Sequence, residues 1–238
     1  MDGRAGRPAR LVLFDIDGTL LLSGGAGKRA LNRAFQELFG VAGGFDGIPV
    51  AGRTDPLIFD DALERAGVTA APAVRRRFHA RYCELLQGEI LGPGPRKGLM
   101  PGVRTLLARL GARTDVASAL LTGNVARAAR IKLEHFDLWS YFACGAYGDD
   151  APSRDELVPI AVDRARRQGI DVPSAAQVVV VGDTPLDIRC ARRSGAMSVA
   201  VATGPFDEAA LRQHGADSVL ADLADTGAFL ELLQGSAP

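Results

Sequence analysis

Residues Leu11-Val12-Leu13-Phe14-Asp15-Ile16-Asp17-Gly18-Thr19-Leu20 constrain this chain more than any other stretch. Four consecutive apolar residues bounded by turn chemistry read as a strand buried on both faces, as in parallel sheets. The strand delivers two carboxylates, Asp15 and Asp17, and residues i and i+2 of an extended chain share a side. Gly18 then permits a sharp bend that brings backbone polar groups to the same spot. The carboxyl end of a parallel strand is where open α/β sheets hold their ligands. Carboxylates crowded there repel unless a cation or a proton lies between them. An Asp-Gly pair is also a common turn, so the rest of the chain has to decide between the two readings.

Helical periodicity follows over 27–39, with Ala30, Leu31, Ala34, Phe35 and Leu38 on one face and Gly40 as a stop. Thr54 or Asp55 before Pro56 predicts a second helix reaching Gly67, and Val74, Phe78, Tyr82, Leu85 and Leu86 predict a third from 73 to about 91. No alternating strand is read between Leu22 and Gly92, and Gly92-Pro93-Gly94-Pro95 forms a boundary. Beyond it, helices over 102–111, 125–135, 155–167 and 185–194 alternate with strands over 116–121, near 142–147, 178–181 and 198–201. A last strand and helix follow at 218–220 and 226–233. Such alternation calls for a parallel sheet with right-handed crossovers. The fold class expected is α/β, a Rossmann-like parallel-sheet core of residues 9–21 plus 98–238, with an all-helical cap domain, residues 22–97, inserted after the first strand. Residues 1–8 are expected to be a flexible tail. The insert leaves the core beside Asp15 and Asp17, where it can act as a lid.

Two more strand ends carry chemistry. The run Ser118-Ala119-Leu120-Leu121-Thr122-Gly123-Asn124 closes a strand with a hydroxyl at a helix start. Free N–H groups there make an anion site, although a plain N-cap would look the same. The run Val178-Val179-Val180-Val181-Gly182-Asp183-Thr184-Pro185-Leu186-Asp187 ends another strand in acid, with Asp187 one helical turn later. Hard oxygen ligands from two strands plus water suit Mg²⁺. Asp183 alone could be a helix cap; three strands ending in acid or hydroxyl at one sheet edge are hard to explain by capping.

Taken together, Phe14-Asp15-Ile16-Asp17-Gly18-Thr19-Leu20, Leu121-Thr122-Gly123-Asn124 and Gly182-Asp183-Thr184-Pro185-Leu186-Asp187 resemble the haloacid dehalogenase-like superfamily. The order and spacing are most similar to its phosphoglycolate-phosphatase-like branch, whose helical cap follows the first motif. The resemblance covers nearly the whole chain. It implies a Mg²⁺-dependent phosphatase for a small phosphate monoester such as phosphoglycolate. In that reading Asp15 is the nucleophile that becomes a phospho-aspartate, and Asp17 is the general acid and then the base. Thr122, Gly123 and Asn124 hold phosphoryl oxygens. Asp15, Asp183 and the Asp17 carbonyl bind the metal, with Asp187 through water or behind it. Phosphoryl transfer is mostly positioning and charge neutralisation, so this inventory suffices.

One departure concerns the lysine that the family usually places before the helix leading to its last motif. Here the region reads Gly148-Asp149-Asp150-Ala151-Pro152-Ser153-Arg154-Asp155-Glu156 and contains no lysine. Arg154 is the candidate substitute, catalytic and phosphate-binding, with its charge spread over a planar fork. A surface arginine at a helix start is the plainer alternative, though positive charge is disfavoured there. In the insert, Ala51-Gly52-Arg53-Thr54-Asp55-Pro56 is the turn that could reach the site, making Arg53 and Thr54 candidate substrate contacts. Arg53 could pair with an anionic leaving group, or be solvated with Asp55 as a simple cap.

Composition excludes other classes. Lys+Arg and Asp+Glu are equal at 28 each, so no global field favours nucleic acid or a membrane surface. Only Lys28, Lys97 and Lys132 are lysines, which limits catalytic amines. Cys83, Cys144 and Cys190 are scattered and fit neither a disulfide framework nor a zinc site, consistent with a cytoplasmic protein. His79, His135 and His214 have no ligand-like spacing, and Lys28 reads as a solvated residue. The expected partner is a small phosphate ester, the assembly a monomer or homodimer. A haloacid dehalogenase needs neither Mg²⁺ nor an acid at Asp17, and a phosphonate hydrolase wants a cap lysine where Arg53 stands. A sugar-phosphate mutase shares every core motif and stays open, as does a catalytically weak phospho-ligand-binding module.

Overall fold

A computed structural model describes residues 10–172 and 174–235, so the expected tail at 1–8 lies outside the described residues. Strands β1 (Arg10–Phe14), β4 (Val116–Leu121), β5 (Gly145–Ala146), β6 (Val178–Gly182), β7 (Met197–Val201) and β8 (Ser218–Leu220) form one parallel sheet in the order β5-β4-β1-β6-β7-β8. The remaining short strands, β2 (Leu21–Leu22) and β3 (Gly98–Leu99), pair antiparallel outside it. The sheet is wound outward in both directions from β1, so its switch point lies between β1 and β6. A crevice at the carboxyl ends of strands opens at such a reversal.

Period-2 alternation explains why β1 reads as an unbroken apolar run. Val12 and Phe14 face one side of the sheet, against α4 (Val103–Gly111), α5 (Ala126–His135) and α9 (Thr226–Gly235). Leu11 and Leu13 face the other, against α6 (Leu157–Arg167) and α7 (Pro185–Arg193). A further helix, α8 (Glu208–Gln213), covers the β7–β8 edge through Leu211. The architecture is Rossmann-like α/β, as the motif order anticipates.

Between β2 and β3 the chain builds α1 (Ala26–Phe39), α2 (Asp55–Ala66) and α3 (Pro72–Glu89) around their own apolar cluster. Phe59 and Phe78 stack at 3.9 Å between centroids, and Phe35 meets Phe45, Phe59 and Phe78 edge-on. Such pairs add about 0.5–1.5 kcal/mol each beyond area burial. The cluster also includes Val125 and Ala128 from the start of α5, so the helical segment packs directly on the sheet domain. Two differences from the sequence expectations concern short strands. The strand near 142–147 shrinks to Gly145–Ala146, the two residues in register with β4, with Ala143 and Cys144 adding single backbone hydrogen bonds to it. The β2–β3 pair ties the departure and return of the helical segment together, at Leu22 and Gly98.

Candidate active site

The ends of β4, β1 and β6 lie side by side, so Thr122, Asp15 and Asp183 emerge at one edge of the sheet. All three are buried. After Asp15 the chain turns at Gly18, whose φ is +86° and whose Cα faces the Asp183 carboxylate. A side chain there would be strained and would collide with Asp183, so glycine is required twice over. Thr19 donates its hydroxyl to Asp183 Oδ1 at 3.1 Å, and Thr203 donates to the Gly18 carbonyl at 2.5 Å.

Arg154 is buried, not a surface residue. It sits in a 3-10 turn (Arg154–Glu156) ahead of α6, and its Nη2 donates to Asp15 Oδ1 at 2.9 Å and Asp187 Oδ1 at 2.5 Å. Its Nη1 reaches the Gly52 carbonyl in the helical segment at 3.1 Å. Asp187 is fully engaged: Oδ1 by Arg154, and Oδ2 by the Thr184 amide and hydroxyl in a capping box that starts α7. Thr184, not Asp183, is therefore the helix cap. Burial, more than any other influence, raises the Asp183 carboxyl, and the Asp15 and Asp187 carboxylates add to it. Asp15 is raised for the same first reason, against the opposing pull of Arg154. Among the described residues no direct ion pair reaches Asp183.

Asp17 is the more open acid, its side chain 40 % exposed. Its Oδ2 accepts from Asn124 Nδ2 at 2.8 Å and from Lys132 Nζ at 2.6 Å. Lys132 also donates to Asn124 Oδ1 at 2.6 Å, and Asn124 Nδ2 donates to Thr122 Oγ1 at 2.9 Å. Sequence reasoning passed over Lys132. It lies in the last turn of α5 and reaches back past Gly27 to the site. The available signal was its rarity, as one of three lysines in the chain.

A cavity of about 250 Å³ opens over these groups, walled by Asp15, Asp17, Thr122, Asn124, Lys132 and Arg154 below and by α1–α3 residues above. Leu22, Leu31, Val50 and Ile58 make its upper wall apolar, and the buried Tyr82 and Ser23 line it too. Thr54 is buried but is not part of that wall, and its Oγ1 has no hydrogen-bond partner among the described residues. Arg53 does line the cavity, but its guanidinium pairs with Asp61 at 2.6 Å and with the Pro49 carbonyl. Lys28 pairs with Asp46 at 2.9 Å at the rim. Asp55 caps no turn of its own. Its amide donates to the Gly123 carbonyl at 2.7 Å, and its carboxylate accepts from the Val125 amide at 2.9 Å. The Arg53 carbonyl presses so close to Gly123 Cα that a Cβ there would overlap it.

Residues 12–192 match the family described as haloacid dehalogenase-like hydrolase. This chain belongs to the haloacid dehalogenase-like hydrolases. It is 28% identical over 207 residues to the phosphoglycolate phosphatase of Pseudomonas syringae pv. tomato, covering 84% of this chain and 72% of that protein. A hydrolase from Pseudomonas syringae has the same fold, with a TM-score of 0.67 at 22% identity over 94% of this chain and 99% of that one. So has a candidate β-phosphoglucomutase from Thermotoga maritima, with a TM-score of 0.60 at 20% identity over 94% and 99% of the two chains. Chains of this same fold are thus described both as a hydrolase and as a candidate β-phosphoglucomutase.

Proposed function

We propose that this hydrolase is a Mg²⁺-dependent phosphatase that cleaves a small phosphate monoester through a phospho-aspartate on Asp15. The observation that carries the reading is the convergence of Asp15, Asp17, Thr122 and Arg154 on one small cavity. A volume of about 250 Å³ falls below the range usual for drug-sized ligands. It suits a phosphoryl group and a compact alcohol, such as the phosphoglycolate named for the Pseudomonas relative. The helices α1–α3, residues 22–97, act as the cap over that cavity.

In this mechanism an Asp15 oxygen attacks phosphorus as the bond to the leaving oxygen breaks, and Asp17 gives that oxygen a proton. Asp17 then takes a proton from the water that attacks the phospho-aspartate, releasing inorganic phosphate and restoring Asp15. Thr122 and the amides beside it hold the non-bridging oxygens at the start of α5. Arg154 keeps Asp15 aimed and offsets negative charge between it and the phosphate.

The metal is supported by the chemistry of Asp183: a buried carboxylate beside Asp15, bonded to one hydroxyl and lacking a cation of its own. Among the described residues no group of three His, Cys, Asp or Glu side chains is placed to hold a metal; in this reading the direct side-chain ligands are Asp15 and Asp183, at the ends of adjacent strands. The Asp17 carbonyl and water complete a set that suits Mg²⁺, which keeps several waters. Asp187, with both oxygens engaged, serves as an outer support through Arg154. When bound, the ion would neutralise phosphoryl charge and relieve the crowding of these acids.

Acid-quenching the enzyme while it turns over a ³²P-labelled phosphate ester tests this. Protein-bound label released by hydroxylamine and mapped to the Asp15 peptide is the expected result. Steady turnover without such label in the wild-type chain or in Asp17→Asn would overturn it.

A further inference from the structure

We propose that Lys132 is the positioning residue that fixes Asp17 for proton transfer to the leaving group, an inference that rests on the phosphatase reading. Lys132 is buried, yet it lies on a helix whose neighbouring turns pack against the apolar cluster of the helical segment. Its ammonium belongs there only because polar partners surround it. Two of its three donors are used, on Asp17 Oδ2 and Asn124 Oδ1, each at 2.6 Å.

The ring of bonds this creates settles three orientations at once. An ammonium has no lone pair, so the Asn124 atom facing it is Oδ1. That turns Asn124 Nδ2 toward Asp17 Oδ2, at 2.8 Å, and toward Thr122 Oγ1, at 2.9 Å. Asp17 Oδ2 is then held by two donors, while Oδ1 accepts no hydrogen bond from any described residue. Asp17 lines the cavity, so Oδ1 is the oxygen left to exchange a proton with a ligand there. The third Lys132 donor makes no hydrogen bond to any described residue, and Lys132 lines the cavity, so that donor too can meet the substrate. Without Lys132, Asn124 loses its orienting partner and Asp17 loses a bond that limits its rotation. Orienting a proton donor matters only for esters whose leaving oxygen needs the proton. A general acid contributes roughly 10²–10⁴-fold for such a step.

The test compares kcat/KM for p-nitrophenyl phosphate and for an alkyl phosphate, in wild type, Lys132→Met and Lys132→Arg, with thermal melts alongside. The ratio kcat/KM reports the steps through leaving-group departure, and p-nitrophenolate leaves without a proton. In Lys132→Met, kcat/KM for the alkyl ester is expected to fall roughly 100-fold further than for the aryl ester. Lys132→Arg is expected to recover part of that ester-specific loss. Equal losses on both esters would overturn the inference while leaving the phosphatase reading standing. A folded wild-type chain inert toward every ester would overturn the reading, and this inference with it.

Discussion

At the scale of residues, the charges of this site divide between two cations with different geometry. Arg154 uses its planar fork to join Asp15, Asp187 and the Gly52 carbonyl, contacts that a lysine head group could not span together. Lys132 supplies a compact ammonium on the opposite side, at Asp17. The pattern of strand-ending acids and hydroxyls made Asp15, Asp17, Thr122 and Asp183 legible in the sequence, because each sits within a short motif. Lys132 was not legible, since its reach depends on the rotation of α5 and on partners more than a hundred residues away, such as Asp17. Asp55 offers a pH prediction. Burial raises its carboxyl to about 6 from an ordinary 3.8, so the folded chain keeps a proton that the unfolded chain has lost between those values. Stability therefore falls as pH rises from about 4 to 6, and the cost persists above. Asp55→Asn, which can still accept from Val125, is expected to match wild type near pH 4 and to gain up to about 3 kcal/mol above pH 7. Melting curves of both chains across that range check it, and a pH-independent gap would contradict the assignment.

At the scale of elements, the turn before α2 and the loop before α5 are locked together. Asp55 bonds to Gly123 and Val125, the Arg53 carbonyl rests on Gly123, and Arg154 reaches Gly52. The helical segment thus grips the loop assigned to phosphate. Gly123→Ala is expected to push the segment away, because the new methyl group would occupy the space of the Arg53 carbonyl. A rise in KM of roughly tenfold, about 1.4 kcal/mol of lost binding, should accompany a larger radius of gyration in solution scattering. Unchanged KM and radius would mean that the contact is incidental. The helices α1 to α3 were legible because their apolar residues recur at helical spacing. The β2–β3 pair was not, since two residues cannot display an alternation. Arg154 does precede a helix, but α6 begins at Leu157 rather than at 155, because a 3-10 turn capped by Ser153 and opened by Arg154 comes first.

At the scale of the whole molecule, a sheet domain with the motifs at its switch point carries a helical layer over the same edge. The alternation of strand and helix made that architecture legible, while the cavity it encloses depends on packing between segments far apart in sequence. Among the described residues no helix is long and apolar enough to cross a membrane. Family membership gives the hydrolase class, and the small phosphate ester proposed as substrate suits the size of the cavity. The most direct measurement is phosphate release from p-nitrophenyl phosphate and a panel of small phosphate esters, with Mg²⁺ or with chelator, for wild type and Asp15→Asn. Mg²⁺-dependent turnover by wild type, abolished by the substitution in a chain that still folds, is the expected result. Turnover that survives in Asp15→Asn, or a folded wild-type chain that releases no phosphate from any ester, would contradict the account.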